Sequence, residues 1–180
     1  MQPDDLTWVF GYGSLIWRQD FAFREARPAY VEGWSRRFWQ GSHDHRGTPQ
    51  HPGRVVTLID SPGQRCHGRA FLVDHDTFEH LDHREKNGYE RVRLPIHLGM
   101  ARVVGVTYIA PPGNVAYLGE ASIQQIADHV QRASGPSGHN RDYVIELARA
   151  LRDLETHDQH VFAIEERLVR MPRQPLERAE

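Results

Sequence analysis

The sequence has 180 residues, 22 Lys and Arg against 24 Asp and Glu, 12 His and one Cys, and a formal net charge of -2. This length predicts a single domain over residues 1–180, and one Cys excludes both an internal disulfide and a cysteine-based zinc site. The near-neutral charge argues against a nucleic-acid partner. Since no apolar run reaches the roughly 20 residues of a membrane helix and no signal peptide is recognisable, we expect a cytoplasmic protein without membrane contact.

The first 110 positions contain short runs rich in β-branched and aromatic residues, which predict strands. Residues 8–10 form the first such run and lead into a glycine-punctuated turn. A second turn is predicted over residues 60–63, where Asp, Ser, Pro and Gly follow one another. Further strands are predicted at residues 30–39, 55–59, 66–73, 89–98 and 102–109, the last two forming a hairpin around Gly99.

One helix interrupts these strands. It is predicted to begin near Asp76 as the N-cap and to end at Asn87 and Gly88, residue types that favour the left-handed C-terminal position. Phe78, Leu81 and Glu85 are spaced i, i+3 and i+7, so that the carboxylate shares a face with apolar side chains.

The pattern after residue 110 is helical. Ser122 and Gln125 form a capping-box pattern, and apolar residues recur at helical spacing over residues 140–155 and 158–170. Strands first and helices last predict an α+β fold, with helices packed on a curved sheet or small barrel. Residues 172–180 are predicted to be a flexible tail.

Gly11 to Leu15 follow the first strand directly and are the first candidate for chemistry. Two glycines allow a sharp turn and a close approach of a ligand to the main chain. Successive N–H groups in such a turn form a nest for an anion or a polarised carbonyl. The alternative is an ordinary turn between two elements.

Glu85 is the second candidate. Burial disfavours the ionised carboxylate, and the partial negative charge of a helix C-terminus acts in the same direction. Both effects predict a raised pKa, which suits a general base near neutral pH. The alternative is a partly exposed side chain at a fraying helix end.

Arginines and histidines give two weaker hypotheses. Arg36, Arg37, Arg46 and Arg54 lie in one Gly- and Pro-rich stretch and could grip a substrate carboxylate bidentately, or they line solvated strand edges. His43 with His45, and His80 with His83, share faces of local elements. A zinc site needs three or four ligands in fixed positions, so we predict no metal.

Several blocks in the expected order resemble the ChaC-type, glutathione-specific gamma-glutamylcyclotransferases. The first is residues 9–17, with the sequence VFGYGSLIW. The others are residues 36–47, residues 52–58, residues 81–89, and the GPSG of residues 135–138 with Asn140 and Tyr143.

The resemblance implies a gamma-glutamylcyclotransferase-like fold, a barrel-like sheet of mixed strands with helices around it. It implies cleavage of glutathione to 5-oxoproline and Cys-Gly without metal or cofactor. The essential acid maps to Glu85. The substrate-binding residues are expected to be Gly11, Tyr12, Gly13, Ser14, Leu15, Ile16, Arg54 and Tyr89.

Two alternatives remain open. The enzyme is either specific for glutathione or a cyclotransferase that accepts other gamma-glutamyl amino acids and amines. A different class is a non-catalytic module that binds glutathione. Turnover of glutathione would exclude the binding module, and a panel of gamma-glutamyl substrates would separate the two enzymes.

Overall fold

A computed structural model describes residues 6–85 and 88–172 of the chain. Asn87 and nearly all of the predicted tail therefore lie outside the described residues. The strands are β1 (Leu6–Gly11), β2 (Glu25–Ser42), β3 (Gly53–Asp74), β4 (Glu90–Leu98), β5 (Ala101–Ile109), β6 (Ser134–Gly135) and β7 (Gly138–His139). The α-helices are α1 (His75–Arg84), α2 (Ile123–Arg132), α3 (Asn140–Asp153) and α4 (Gln159–Arg170).

Five strands close into a barrel in the order β1-β3-β2-β4-β5. β1 pairs antiparallel with β3, from Leu6 opposite Asp74 to Gly11 opposite Arg69. It meets β5 in parallel where Val9 lies opposite Val106, and this contact closes the ring. Closure of this kind is how a small barrel avoids long exposed strand edges. The predicted α+β class and small barrel are confirmed.

The chain divides into two compact units. One comprises the described part of Met1–Arg36 together with Thr57–Val115, and the other comprises Arg37–Val56 together with the described part of Ala116–Glu180. The sequence-based assignment of one domain to the whole chain stays a prediction.

The first unit has a core that is shared by barrel strands, α1 and the segment after β1. Phe71 is fully buried, and its ring makes edge contacts with Phe21 and Phe23, with centroids 5.3 and 5.4 Å away. Cys66 is also buried, at 3% exposure. The core cluster consists of Val9, Leu15, Phe71, Val73, Leu81, Val106 and Tyr108.

The second unit is built on the helices that the apolar spacing predicts. Each helix buries one stripe, such as Val144, Leu147 and Leu151 of α3, all with no exposed surface. Ser122 caps α2, and its side chain and that of Gln125 exchange hydrogen bonds with the backbone in a complete capping box. The predicted capping box is therefore confirmed.

Two local predictions were wrong. β3 is one strand of 22 residues that runs through the predicted turn at residues 60–63. Its middle is mostly exposed, and Gly63 has φ +80, so the polar and glycine residues mark an exposed, irregular part of the strand. The N-cap of α1 is Asp74 rather than Asp76, because the Asp74 side chain accepts a hydrogen bond from the Thr77 N–H.

Candidate active site

The glycine segment, residues 11–16, forms a tight turn at the end of β1. Ser14 to Ile16 make one 3₁₀ turn, and the Ile16 N–H donates to the Gly13 carbonyl at 3.0 Å. A Cβ on Gly11 would lie 2.7 Å from the Leu15 Cβ, so this turn requires glycine there. Leu15 and Ile16 are buried, whereas Gly13 and Ser14 are partly exposed. The main chain at Gly13 and Ser14 is thus accessible, whereas the residues on either side of it are buried.

The buried Arg36 side chain supports this turn. Its Nε donates to the Tyr12 carbonyl at 2.7 Å, and its Nη2 donates to the His67 carbonyl. Arg36 is only 2% exposed. The Arg36 guanidinium, a candidate ligand for a substrate carboxylate, therefore donates to main-chain carbonyls in and beside the turn.

Glu85 lies at the C-terminal end of α1. Its N–H donates to the Leu81 carbonyl at 3.1 Å, which makes Glu85 the C-cap of the helix. Leu81 is fully buried in the core cluster, and Glu85 itself is partly buried. Glu85 therefore follows a core residue by one helical turn, and the predicted shared face of its carboxylate stays a prediction. The predicted tuning of Glu85 toward a general base stays a prediction.

Tyr108 of β5 connects the glycine segment with the end of α1. The Tyr12 hydroxyl donates to the Tyr108 carbonyl at 2.5 Å. The Tyr108 ring belongs to the same cluster as Leu15 and Leu81. Burial raises the pKa of Tyr108 above its ordinary value, and the Asp82 and Glu85 carboxylates add to the rise. Tyr108 was not among the predicted site residues, although its position two residues after Val106, on the same face of the strand predicted at residues 102–109, was a signal.

Tyr89 packs against this cluster from the start of β4 and is partly buried. The first unit therefore contains Glu85, Tyr89 and the whole glycine segment, and one apolar cluster brings together Leu15, Tyr89 and the helix turn that ends at Glu85.

Arg54 belongs to the second unit. It is buried at 7% exposure, and its Nη1 donates to the carbonyls of Phe38 and Gly119 at 2.9 and 3.0 Å. Asn140 fixes its main chain, accepting from the Arg54 N–H at 2.7 Å and donating to the Arg54 carbonyl at 2.8 Å. Burial lowers the pKa of Arg54 from its ordinary value. The guanidinium is thus held rigidly by main-chain oxygens.

The histidines form no metal cluster within the part of the chain that the structure describes. His80 and His83 are exposed on α1, and the His45 Nδ1 lies 3.2 Å from the Ser137 hydroxyl oxygen. Across residues 6–85 and 88–172, no group of three or more His, Cys, Asp or Glu is arranged to hold a metal ion. The sequence-based prediction that the protein needs no metal or cofactor stays a prediction.

None of the helices in the described residues is both long and apolar enough to span a membrane.

The chain is similar to proteins of established name. The family model described as "ChaC-like protein" matches residues 7–171. "Gamma-glutamylcyclotransferase 2-3" of Arabidopsis thaliana is 43% identical, with 86% of this chain and 84% of the relative covered. "Glutathione-specific gamma-glutamylcyclotransferase 1" of Danio rerio is 37% identical over 94% of this chain and 95% of the relative. A crystal structure of the glutathione-specific yeast enzyme superposes with a TM-score of 0.84 at 27% identity, covering 92% of this chain and 96% of that one.

Proposed function

The chain belongs to the ChaC-like protein family, and on that premise we propose that it is a glutathione-specific gamma-glutamylcyclotransferase. The reaction cleaves glutathione to 5-oxoproline and Cys-Gly, a step of glutathione catabolism. The single observation that carries the proposal is that Glu85 and the glycine segment lie in one unit, joined through the cluster around Tyr108. The names of the relatives support the choice of substrate.

The chemistry is an intramolecular acyl transfer. The α-amine nitrogen of the glutamyl residue attacks its own γ-carbonyl carbon, a five-membered lactam forms, and the γ-amide C–N bond breaks. The leaving Cys-Gly takes a proton on its nitrogen, so no water is consumed. Because nucleophile and electrophile belong to one molecule, holding the curled conformer can supply roughly 7–11 kcal/mol of the barrier.

Glu85 is the proposed general acid and base. An α-amine with a pKa of about 8 is mostly protonated at neutral pH, so the reaction needs a base before attack. The carboxylate would take that proton and return one to the leaving nitrogen, so that the carboxylate is regenerated each cycle. Its place one helical turn after the buried Leu81, at the C-cap of α1, supports this role.

The glycine segment is the proposed binding element. Tyr12 and Leu15 anchor it, and the partly exposed main chain at Gly13 and Ser14 would face the substrate. N–H groups there would hold the substrate α-carboxylate or the oxyanion that develops on the γ-carbonyl. Gly11, Ile16 and Tyr89 complete the proposed set within this unit, and the assignment of Arg54 to substrate binding stays an expectation from the resemblance. Nucleic acid has no part in the proposal, since the net charge is -2.

The test is direct. Purified protein is incubated with glutathione, and 5-oxoproline and Cys-Gly are quantified by mass spectrometry. We expect the two products in equal amounts, rising linearly with protein concentration. Binding of glutathione without product would contradict the enzyme and favour the binding module.

A substrate panel separates the second candidate. The relative from Arabidopsis thaliana is named a gamma-glutamylcyclotransferase without reference to glutathione, which is the observation that favours a broader enzyme. Glutathione and gamma-glutamyl-alanine are compared at equal concentration. We expect glutathione to have the higher kcat/KM by at least about tenfold, and comparable values would favour the broader specificity.

A further inference from the structure

Tyr108 carries a buried polar atom that the fold does not use. Its hydroxyl oxygen is inaccessible to solvent and has no partner within normal hydrogen-bond distance and angle among the residues the structure describes, although the Asp82 carboxylate is near enough to act on it as an acceptor outside those limits. The residue as a whole is 5% exposed and sits in the apolar core cluster of the first unit. Leaving a buried hydroxyl unpaired costs about 1–3 kcal/mol. Such an atom in a native structure calls for an explanation outside stability.

The surroundings of Tyr108 place it beside the last turn of α1. Tyr108 lies opposite Arg91 in the β4–β5 ladder, and the Arg91 guanidinium is 3.4 Å from the Asp82 carboxylate. The ring shares its cluster with Leu81, one turn before Glu85. The charged groups that act on the phenol are the Asp82 carboxylate of α1, the Glu85 carboxylate at the C-cap of that helix and the Arg91 guanidinium of β4.

We infer that Tyr108 is a positioning residue for Glu85, whose carboxylate accepts a hydrogen bond from the Tyr108 hydroxyl once substrate is bound. The inference rests on the proposed function, because it concerns the working state of the same carboxylate. Catalytic hydrogen bonds are often long or absent before substrate binds and shorten in the complex. A donor that makes no hydrogen bond of normal geometry in the free protein agrees with this order of events.

The donor is available over the whole working range. Since burial and two carboxylates raise the pKa of Tyr108, the phenol keeps its proton at any pH where the enzyme would act. The hydrogen bond that the Tyr12 side-chain hydroxyl donates to the Tyr108 main-chain carbonyl fixes the residue from the side of the glycine segment. One tyrosine therefore joins the proposed binding turn to the proposed base.

The test compares Tyr108→Phe with wild type in glutathione turnover. The variant keeps the ring and removes only the unpartnered oxygen, so we expect its Tm at or above that of wild type. We expect kcat to fall by at least about tenfold and KM to change by less than about threefold. The acid limb of the kcat profile should move up by about one pH unit, because one hydrogen bond to a charged group is lost. The acid limb of kcat/KM, which reports the free enzyme, should move less.

Two further variants are matched controls. Tyr30→Phe removes a hydroxyl from a partly buried barrel tyrosine that stacks on His97 at 4.6 Å, and we expect kcat within about twofold of wild type. Asp82→Asn removes the other carboxylate near the phenol, and we expect kcat within about threefold, since Glu85 is the proposed acceptor.

The outcomes are distinguishable. A folded Tyr108→Phe with wild-type kcat and wild-type pH profiles would overturn the inference while leaving the proposed function intact. A loss of kcat in Asp82→Asn equal to that in Tyr108→Phe would overturn it too, because the acceptor would then be Asp82. Wild-type protein that releases no 5-oxoproline from any gamma-glutamyl substrate would overturn the proposed function and this inference together.

Discussion

The hydroxyl of Tyr12 donates a 2.5 Å hydrogen bond to the main-chain carbonyl of Tyr108, 96 residues further along the chain. Both residues are buried, at 6% and 5% exposure. The bond fixes the glycine segment after β1 to β5 of the barrel. A local turn is thereby held by a contact that local sequence does not encode.

Tyr12→Phe is expected to destabilise the protein by about 1–3 kcal/mol, because a buried carbonyl loses its side-chain donor. The ring contact with Phe10, at 6.4 Å between centroids, would persist in the variant. The free energy of unfolding from urea denaturation measures the effect. An unfolding free energy equal to that of wild type would contradict the importance of this bond.

Glu85→Gln is expected to lower 5-oxoproline release by at least about 10²-fold, since the amide keeps the shape and cannot accept the proton. Glu79→Gln is the matched control. Glu79 is on the same helix, its side chain is 69% exposed, and its ion-pair partner is His75, so we expect full activity. Initial rates with glutathione measure both. Near-wild-type activity in a folded Glu85→Gln protein would eliminate Glu85 as the base.

Asn140→Ala is expected to destabilise the protein by at least about 2 kcal/mol. Asn140 is completely buried, and its amide bonds both the N–H and the carbonyl of Arg54. The variant leaves two main-chain groups without that partner, at about 1–3 kcal/mol each. Asn114→Ala, in the loop before α2, is the control, with an expected loss below about 1 kcal/mol. Equal losses in the two variants would be the contrary result.

Stability is expected to fall below about pH 6.5 in part through His129. Burial lowers the pKa of His129 from 6.5, although a hydrogen bond with the Pro52 carbonyl opposes the shift. The unfolded chain then binds the proton more readily than the folded one. The contribution is fully present above the unfolded pKa and is lost as the pH falls through the folded pKa.

Urea unfolding of wild type and His129→Gln between pH 5 and pH 8 measures this effect. We expect the variant to lose less stability than wild type on acidification. His51→Gln, which changes an exposed histidine, should keep the wild-type slope. A His129→Gln slope as steep as that of wild type would argue against the assignment.

Removal of metal is expected to leave activity unchanged. The proposed chemistry needs one carboxylate and main-chain donors, whereas a catalytic zinc ion needs three protein ligands. Rates are compared before and after dialysis against EDTA. A loss of activity that zinc restores would revive the histidine hypothesis.

The elements with clean local signals were predictable from sequence. α2, α3 and α4 have apolar stripes and marked ends, and the hairpin of β4 and β5 turns at Gly99, which has φ +66. The full length of β3 was not predictable, because residues that typically form a turn are also tolerated where a strand is exposed. The N-cap of α1 was misplaced by two residues, since Asp74 and Asp76 are equally good caps in sequence.

The candidate site was predictable only in part. Glu85 follows from one helical period, and the glycine segment from its composition. The roles of Tyr108 and Arg36 do not follow from the local sequence. Tyr108 is bound by a residue 96 positions away, and Arg36 binds one 31 positions away. Arg36 also shows why residue type alone misleads, since its guanidinium binds main-chain carbonyls of its own unit.

The single thiol of the chain, Cys66, is 3% exposed in β3. Because this sulfur is buried, glutathione cannot reach it for thiol–disulfide exchange. Oxidised glutathione in an assay mixture is therefore not expected to modify this protein covalently. Activity should consequently be insensitive to the ratio of disulfide to thiol, apart from the fall in substrate concentration that oxidation brings.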